Sequence, residues 1–252
     1  MVRLRRRPTV SIRLDRASAR DRKSCQEREL AAFLQFAQKG SSLLYYSFMT
    51  LALEVFSWVH RPLVSGRKSL IFGDLRGLVL ELGAGTGVNF SYLHPTVEWI
   101  GLEPEPRLRS FCDRRLRRLG RKGRWVESLE ELPDASLDAV MCSLVLCSVA
   151  DLEGTLGHIL RVLRPGGHFA FVEHVGAPRG SRTACWQSRL RRGWAVAAGG
   201  CQLCRETGAA IERVFSPGVQ IEAFTLPLLV LGPHIAGVAR KSHPDDLGRA
   251  GN

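Results

Sequence analysis

The feature that most constrains the fold is a short apolar run that leads into three closely spaced glycines. Residues 78–82 read Leu-Val-Leu-Glu-Leu, as expected for a buried strand, and residues 83–87 read Gly-Ala-Gly-Thr-Gly. A second apolar run, Trp99-Ile-Gly-Leu-Glu103, ends in an acid. In doubly wound α/β folds, glycines after the first strand let backbone approach a nucleotide cofactor, and the later acid accepts hydrogen bonds from ribose. The pattern therefore predicts a nucleotide site at the carboxyl ends of two strands.

The rest of the chain alternates short apolar runs with helical patterns. We predict helices at residues 86–94, in the arginine-rich stretch after Pro104, and at residues 151–163 and 206–215, and strands near 124–127, 137–144, 168–174, 219–226 and 234–241. Such alternation builds a parallel sheet with helices on both faces, and the last two strands lack a good connecting helix. We therefore expect a single α/β domain with a doubly wound, Rossmann-like sheet of seven mostly parallel strands and an antiparallel edge strand.

The expected domain covers residues 77–242. Before it we expect a flexible basic extension over residues 1–40 and lid or membrane-surface helices over 41–76, and after it a flexible tail over 243–252. The apolar run at residues 43–59 contains Glu54 and is closed by His60-Arg61-Pro62. These features favour a surface helix over a membrane span.

The net charge of +12 is concentrated in two stretches. Residues 1–23 hold nine Lys or Arg against two Asp, and residues 107–124 hold nine against one Asp. We interpret the second stretch as the solvated face of a helix. The first predicts attraction to an anionic membrane surface. No apolar signal segment follows it, so we expect an intracellular protein, cytoplasmic or membrane-associated, for which the arginines also suggest organelle targeting.

The seven cysteines are scattered and odd in number, which fits a reducing compartment better than a disulfide framework. Cys142 and Cys147 lie in an apolar run and are predicted to be core residues. Cys201-x-x-Cys204 has no second pair of ligands nearby in the sequence, so we expect no metal site.

The spacing of the glycines distinguishes this loop from the nicotinamide fingerprint G-x-G-x-x-G. Its form, Glu81-Leu-Gly-Ala-Gly-Thr-Gly87, resembles the class I S-adenosylmethionine-dependent methyltransferases. Further blocks resemble the methyltransferase-like family of alkyl-thiol S-methyltransferases: Cys142-Ser-Leu-Val-Leu-Cys-Ser-Val149, Arg161-Val-Leu-Arg-Pro-Gly-Gly167, Phe171-Val-Glu-His-Val175, Gly200-Cys201, Arg205-Glu-Thr207 and Pro233-His-Ile235. This resemblance implies S-adenosylmethionine as cofactor, a small hydrophobic thiol as acceptor, and association with membranes or lipid droplets.

The resemblance also implies which residues contact the cofactor: Glu81, Gly83, Ala84, Gly85, Thr86, Gly87, Asn89, Glu103, Pro104, Ser128, Leu129, Ser143 and Leu144. The chain departs from the family in two places. An arginine-rich head replaces the family's apolar N-terminal anchor, and Glu127-Ser128 stand where a carboxylate usually contacts adenine.

Methyl transfer requires mainly that donor and acceptor are held in line and that water is excluded. A thiol has a pKa near 8.5, so a nearby base would raise its thiolate fraction. His174, at the carboxyl end of the fifth strand, is the first catalytic candidate, with a structural histidine as the alternative. His234 and the Arg205–Glu206 pair come second, and for the pair we favour a buried ion pair. Tyr45, Tyr46, Trp186 and Trp194 are weaker candidates for a lid or an acceptor pocket.

Other functions remain open at this point. A quinone, sterol or phospholipid acceptor would use the same cofactor half. An RNA methyltransferase is disfavoured, because Ser143-Leu-Val-Leu146 replaces the Asn/Asp-Pro-Pro-aromatic motif of base amino-group methylation. A non-catalytic binding protein could keep the fold. We expect a monomer with a small-molecule acceptor and no nucleic-acid partner.

Overall fold

The computed structural model describes residues 43–243, and a seven-stranded sheet forms its centre. The strands are β1 (Leu78–Leu82), β2 (Glu98–Leu102), β3 (Gly123–Val126), β4 (Leu137–Ser143), β5 (Leu163–His174), β6 (Val219–Thr225) and β7 (Pro233–Arg240). Their order in the sheet is β3-β2-β1-β4-β5-β7-β6. Neighbours among β1 to β5 are parallel, whereas β7 runs antiparallel to both β5 and β6. The predicted doubly wound sheet with an antiparallel edge is confirmed.

The helices lie on both faces of this sheet. They are α1 (Leu43–Gly73), α2 (Pro106–Arg118), α3 (Leu152–Val162), α4 (Arg182–Ala197) and α5 (Thr207–Phe215), with 3-10 turns at Val88–Ser91 and Leu229–Leu231. Helix α4 covers a segment in which no regular element was predicted, and it begins at a Ser181 side-chain cap. From Thr50 onward the elements belong to one compact unit.

Alternate residues of the strands supply two hydrophobic clusters, one on each face. Leu80, Val140 and Phe171 pack in the cluster that also contains residues of α3 and α5. Val79 and Met141 pack in the other cluster, with residues of α1 and α2. In α2 only Cys112 and Leu116 are buried, while Phe111 and Leu119 are exposed.

One helix extends beyond its apolar run, and one helix prediction was wrong. Helix α1 does not stop where that run is closed by His60-Arg61-Pro62 but continues to Gly73, because its last turns bury Val64 and Phe72 against the core, which offsets the hydrogen bond that Pro62 cannot donate. The helix predicted after Thr86 is only the 3-10 turn at Val88–Ser91. Its preceding residue, Gly87, has the left-handed φ of 74°, which an α-helix cannot continue through.

Strand β5 is also longer than predicted. It begins at Leu163, so the Arg-Pro-Gly-Gly segment at residues 164–167 lies within it, beside a register shift between Leu137 and Ala139 of β4. Among the described residues, no helix combines the length and apolar character that crossing a membrane requires.

Candidate active site

The glycine loop joins β1 to the first 3-10 turn and needs all three of its glycines. Gly83, Gly85 and Gly87 have φ of 66°, 53° and 74°, the left-handed region that favours glycine. A Cβ at Gly83 would lie 2.4 Å from Val145 Cγ2, and one at Gly87 would lie 2.5 Å from Phe90 Cε2. At Gly85, by contrast, the nearest described atom would be 4.0 Å away. The outer two glycines therefore serve packing, and Gly85 faces open space.

Glu103 lies at the carboxyl end of β2 and touches this loop. Its Oε2 accepts a hydrogen bond of 2.9 Å from the Gly85 amide, and its Oε1 accepts one of 3.1 Å from the Glu105 amide. The residue is only 7% exposed, and the exposed Pro104 follows it. The two features that predicted a nucleotide site are thus joined by a hydrogen bond, and the carboxylate retains lone pairs for a further donor.

Glu81 and Asn89 form a buried network beneath the loop. The Glu81 carboxylate accepts hydrogen bonds from Asn89 Nδ2 and Trp99 Nε1, both at 2.8 Å, and Asn89 Oδ1 accepts one of 2.9 Å from Lys68 Nζ. Burial raises the pKa of Glu81 to about 7, although these hydrogen bonds oppose the shift. Burial also lowers the pKa of Lys68 to about 8. Lys68 was not among the predicted site residues, because nothing in the local sequence pattern marks it as a buried lysine.

The remaining loop and adenine-position residues differ in their surroundings. Ala84 is buried in the core, so it can offer a ligand only its backbone, while Thr86 is half-buried. Ser128 is half-buried and Leu129 packs in a core cluster. The preceding Glu127 is held by two hydrogen bonds from Arg109, at 2.6 and 2.7 Å.

Strand β4 ends in a strained turn. Leu144 has a φ of 60°, a conformation that costs a non-glycine residue about 1–3 kcal/mol. The hydroxyl oxygen of Ser143 is buried and, among the described residues, has no hydrogen-bond partner. The Glu173 carboxylate accepts hydrogen bonds from the amides of Val145 at 3.0 Å and Leu146 at 3.1 Å, and burial raises its pKa. Glu173 therefore holds the strained turn in place.

Arg205 also stabilises this turn, through hydrogen bonds to its carbonyl oxygens. Its Nη1 donates to the carbonyl oxygens of Leu146 at 2.7 Å and Val149 at 2.6 Å. The predicted Arg205–Glu206 ion pair is wrong, because the Arg205 guanidinium is directed to these carbonyls while Glu206 pairs with Arg179 at the surface.

His234 is committed to structural contacts. Its Nδ1 lies 2.9 Å from the Gly232 carbonyl oxygen and must therefore donate to it. Its Nε2 lies 3.1 Å from Nε2 of His60. Burial lowers the pKa of His60 to about 3 and that of His234 to about 4. Both rings are neutral at pH 7, so His60 donates and His234 accepts.

His174 is placed differently, although it pairs with His234 across β5 and β7. It is the last residue of β5 and only 2% exposed. Within the described part of the chain, neither of its ring nitrogens has a nitrogen or oxygen partner. Of the two predicted catalytic histidines, His174 is thus the one whose ring nitrogens have no nitrogen or oxygen partner in the described structure, and the Cys147 thiol hydrogen-bonds to this ring.

Two thiols lie beside this imidazole. Ligand atoms of Cys147, His174 and Cys201 all lie within 4.8 Å of one another, and all three residues are buried. A hydrogen bond between the thiols raises the pKa of Cys147 and lowers that of Cys201. The predicted core position of Cys147 is confirmed. This cluster was not predicted from the sequence, because Cys201 lies beside Cys147 and not beside a partner close in the chain; the nearby Cys204 is exposed.

The aromatic candidates for a lid or an acceptor pocket differ in their exposure. Trp186 is 52% exposed, whereas Trp194 has a buried indole nitrogen near Cys201. The side chains of Tyr45 and Tyr46 lie outside the described residues. A residue that the sequence analysis missed is Gln187, which is buried in α4 and accepts a 2.7 Å hydrogen bond from the Ala177 amide, tying α4 to the segment after β5.

Comparison with known proteins identifies the family. Residues 80–171 match the family model described as a methyltransferase domain. The rat protein named Thiol S-methyltransferase TMT1B is 35% identical over 212 residues, which cover 78% of this chain and 86% of the relative. The chain belongs to the thiol S-methyltransferase family. The human protein named Thiol S-methyltransferase TMT1A is 33% identical over 202 residues, covering 74% of this chain and 83% of the relative.

A solved structure agrees with the fold of this methyltransferase. Geranyl diphosphate C-methyltransferase from Streptomyces coelicolor, in a complex that contains S-adenosyl-L-homocysteine, superposes with a TM-score of 0.57 at 15% identity. The likeness covers 72% of this chain and 81% of that one. The predictions of a class I methyltransferase and of an S-adenosylmethionine-dependent enzyme are confirmed, and the non-catalytic alternative is not supported.

Proposed function

We propose that this methyltransferase transfers the methyl group of S-adenosylmethionine to a small, hydrophobic alkyl thiol. The observation that carries the proposal is the buried His174 imidazole, which lies at the same edge of the sheet as the glycine loop and, among the described residues, lacks a nitrogen or oxygen partner. The relatives named as thiol S-methyltransferases, which match over most of their length, support a thiol as acceptor.

The residues at the carboxyl edge of the sheet fit the cofactor. S-adenosylmethionine supplies a methyl group that its sulfonium already makes electrophilic. Gly85 leaves open space in which the cofactor can approach the backbone of the glycine loop. The carboxylate of Glu103 is placed to accept hydrogen bonds from the ribose hydroxyls, and the hydroxyl of Ser143 offers a buried polar group for which the described residues provide no partner.

The protein must then place a thiolate in line with the methyl group. A free thiol is only a few per cent ionised at neutral pH, so its proton must be removed or its pKa lowered. His174 is our candidate residue for this role, because it lies at the sheet edge near the turn that packs against Gly83. Burial of the cluster keeps water away from the reacting atoms.

The wider setting is part of the same proposal. The chain works as an intracellular monomer on a small-molecule acceptor and not on nucleic acid. The nine basic residues at positions 1–23 attract it to an anionic membrane surface, where hydrophobic thiols would also partition.

The test is methyl transfer from labelled S-adenosylmethionine to acceptors that share one carbon skeleton. Hexane-1-thiol, hexan-1-ol and hexylamine differ only in the accepting atom, and lipid, quinol and RNA fractions complete the panel. We expect label in the thiol alone. Label in a lipid, a quinol or RNA, with none in the thiol, would contradict the proposal.

A variant separates the role of His174 from a structural one. His174→Ala should lower turnover per folded molecule and leave the cofactor dissociation constant unchanged. A merely structural histidine would instead lower the melting temperature and leave turnover per folded molecule unchanged.

A further inference from the structure

We infer that Cys147, His174 and Cys201 form a zinc site whose open fourth position holds the acceptor thiol as a thiolate. The inference rests on the proposed function and deepens it, because it names the group that ionises the acceptor. In this arrangement His174 acts through the metal instead of as a free base.

The three side chains are a suitable ligand set for zinc. Thiolate sulfur and imidazole nitrogen are the ligands that zinc prefers, and catalytic sites use three protein ligands and leave one position open. Before the acceptor binds, two thiolates and a neutral imidazole also balance the charge of Zn²⁺, so the resting buried site carries no net charge.

The buried imidazole supports a ligand at this place. A buried polar group with too few partners is costly, and both ring nitrogens of His174 are buried without a nitrogen or oxygen partner among the described residues, which offer the ring only the weak hydrogen bond of the Cys147 thiol. A metal bond would satisfy one of them. The ligand atoms now lie within 4.8 Å of one another, and tetrahedral coordination would bring them to about 3.5–3.8 Å, a contraction that small side-chain rotations supply.

The backbone brings the ligands together from three separate segments. Cys147 lies in the turn after β4, His174 ends β5, and the segment after α4 carries Cys201. The Gln202 amide donates a 2.9 Å hydrogen bond to the Cys147 carbonyl oxygen, which fixes the third segment against the first. All three ligands also fall within the sequence blocks that resemble the thiol methyltransferases.

The cluster lies next to the cofactor loop. Val145, two residues before Cys147, packs against Gly83 so closely that a Cβ there would lie 2.4 Å from its Cγ2. A thiolate in the open position would therefore be held at the sheet edge where the methyl group is presented.

The proposed step balances without an oxidant or reductant. On binding, the acceptor thiol releases its proton to solvent as its sulfur bonds to the metal, which makes it a thiolate at neutral pH. A lone pair of that sulfur forms the new bond to the methyl carbon. The electron pair of the broken methyl–sulfur bond stays on the cofactor sulfur, so the products are a neutral thioether and S-adenosylhomocysteine. The thioether is a weaker ligand and leaves.

The first test is the zinc content of the full-length protein, purified with reductant and zinc sulfate and then desalted. Elemental mass spectrometry should find about one zinc per folded chain. Cys201→Ala and His174→Phe should lose it. His174→Cys, which restores a ligand, should retain it. Cys204→Ala is the matched control, because this exposed thiol is only three residues from Cys201 and should not affect zinc binding.

The second test uses cobalt in place of zinc, because its spectrum reports the ligands directly. Adding 2-mercaptoethanol should increase the thiolate-to-cobalt charge-transfer absorption, and its S-methyl ether should not. Three results would overturn the zinc site. They are the absence of zinc from the reduced wild-type protein, a zinc content in Cys201→Ala equal to that of the wild type, and a Cys147–Cys201 disulfide instead of bound metal.

The two proposals fail in distinguishable ways. Metal-free protein that methylates alkyl thiols at full rate overturns the zinc site and leaves the proposed function standing. If added thiol does not change the cobalt spectrum, the proposal that the acceptor thiol occupies the open metal position is overturned. Zinc bound in the cluster, with methyl transfer only to acceptors that are not thiols, overturns the proposed function.

Discussion

Replacing Gly85 by valine should weaken cofactor binding by roughly 100-fold at a small cost in stability. At a φ of 53°, valine is strained by about 1–3 kcal/mol. Its Cβ would meet no described atom closer than 4.0 Å, so no clash within the protein adds to this cost. The side chain would instead occupy the space for the cofactor. The displaced cofactor would lose its contact with the loop backbone and its hydrogen bonds to Glu103. At about 1.5 kcal/mol for each of these two interactions, binding weakens by about 3 kcal/mol, or roughly 100-fold.

Gly120→Val is the matched control for this variant. Gly120 has a similar φ of 63° and no described atom within 4 Å of its would-be Cβ, but it lies outside the loop. Calorimetric titration and thermal denaturation of both variants should show similar falls in melting temperature, of about 2–4 °C per kcal/mol, with loss of cofactor binding in Gly85→Val alone. Wild-type affinity in Gly85→Val, or equal loss of affinity in both variants, would refute the reasoning.

Three further predictions concern the acid after β2, the buried histidines and the basic head. Glu103→Ala should weaken cofactor binding by about 1–3 kcal/mol in the same titration, since the ribose hydroxyls lose a charged acceptor, whereas Glu105→Ala should leave it unchanged. The pKa values of His60 and His234 fall from 6.5 to about 3 and about 4 on folding, mainly through burial, so below pH 6.5 these two rings bind more protons in the unfolded chain than in the folded one. Burial raises the pKa of Glu81 from 4.5 to about 7, which has the opposite effect, so the histidine contribution is measured as a difference between two proteins. In urea unfolding at pH 7.5, 6.5 and 5.5, the stability of the wild-type protein relative to His60→Phe should fall by up to about 1.4 kcal/mol for each pH unit below 6.5, and a constant difference there would contradict it. Removing residues 1–24 should preserve turnover of a soluble thiol but reduce cosedimentation with anionic vesicles, as raising salt should also do, and lost turnover would count against this assignment.

The parts of the site that the sequence predicted are those that short-range patterns encode. Gly83, Gly85 and Gly87 follow a strand directly, and Glu103 ends the next strand, so the fold alone brings them together. The same local reasoning was wrong after Thr86. It predicted a helix that includes Gly87, whose φ is left-handed.

The parts that it missed depend on contacts between distant segments. Lys68 reaches the loop only because α1 continues past Pro62 and packs on the sheet. Cys147 and Cys201 meet only because the segment after α4 returns to the turn after β4. A motif search looks for ligands spaced closely along the chain, so it points to Cys204 and overlooks Cys147.

The most direct test of the account is a crystal structure of the protein with S-adenosylhomocysteine and a methylated alkyl thioether. We expect the ribose hydroxyls within hydrogen-bond distance of the Glu103 carboxylate and the backbone of Gly85 against the cofactor. The thioether sulfur should lie beside His174, between Cys147 and Cys201. A cofactor whose ribose is held by another residue, or a thioether bound away from the carboxyl edge of β4 and β5, would contradict the account.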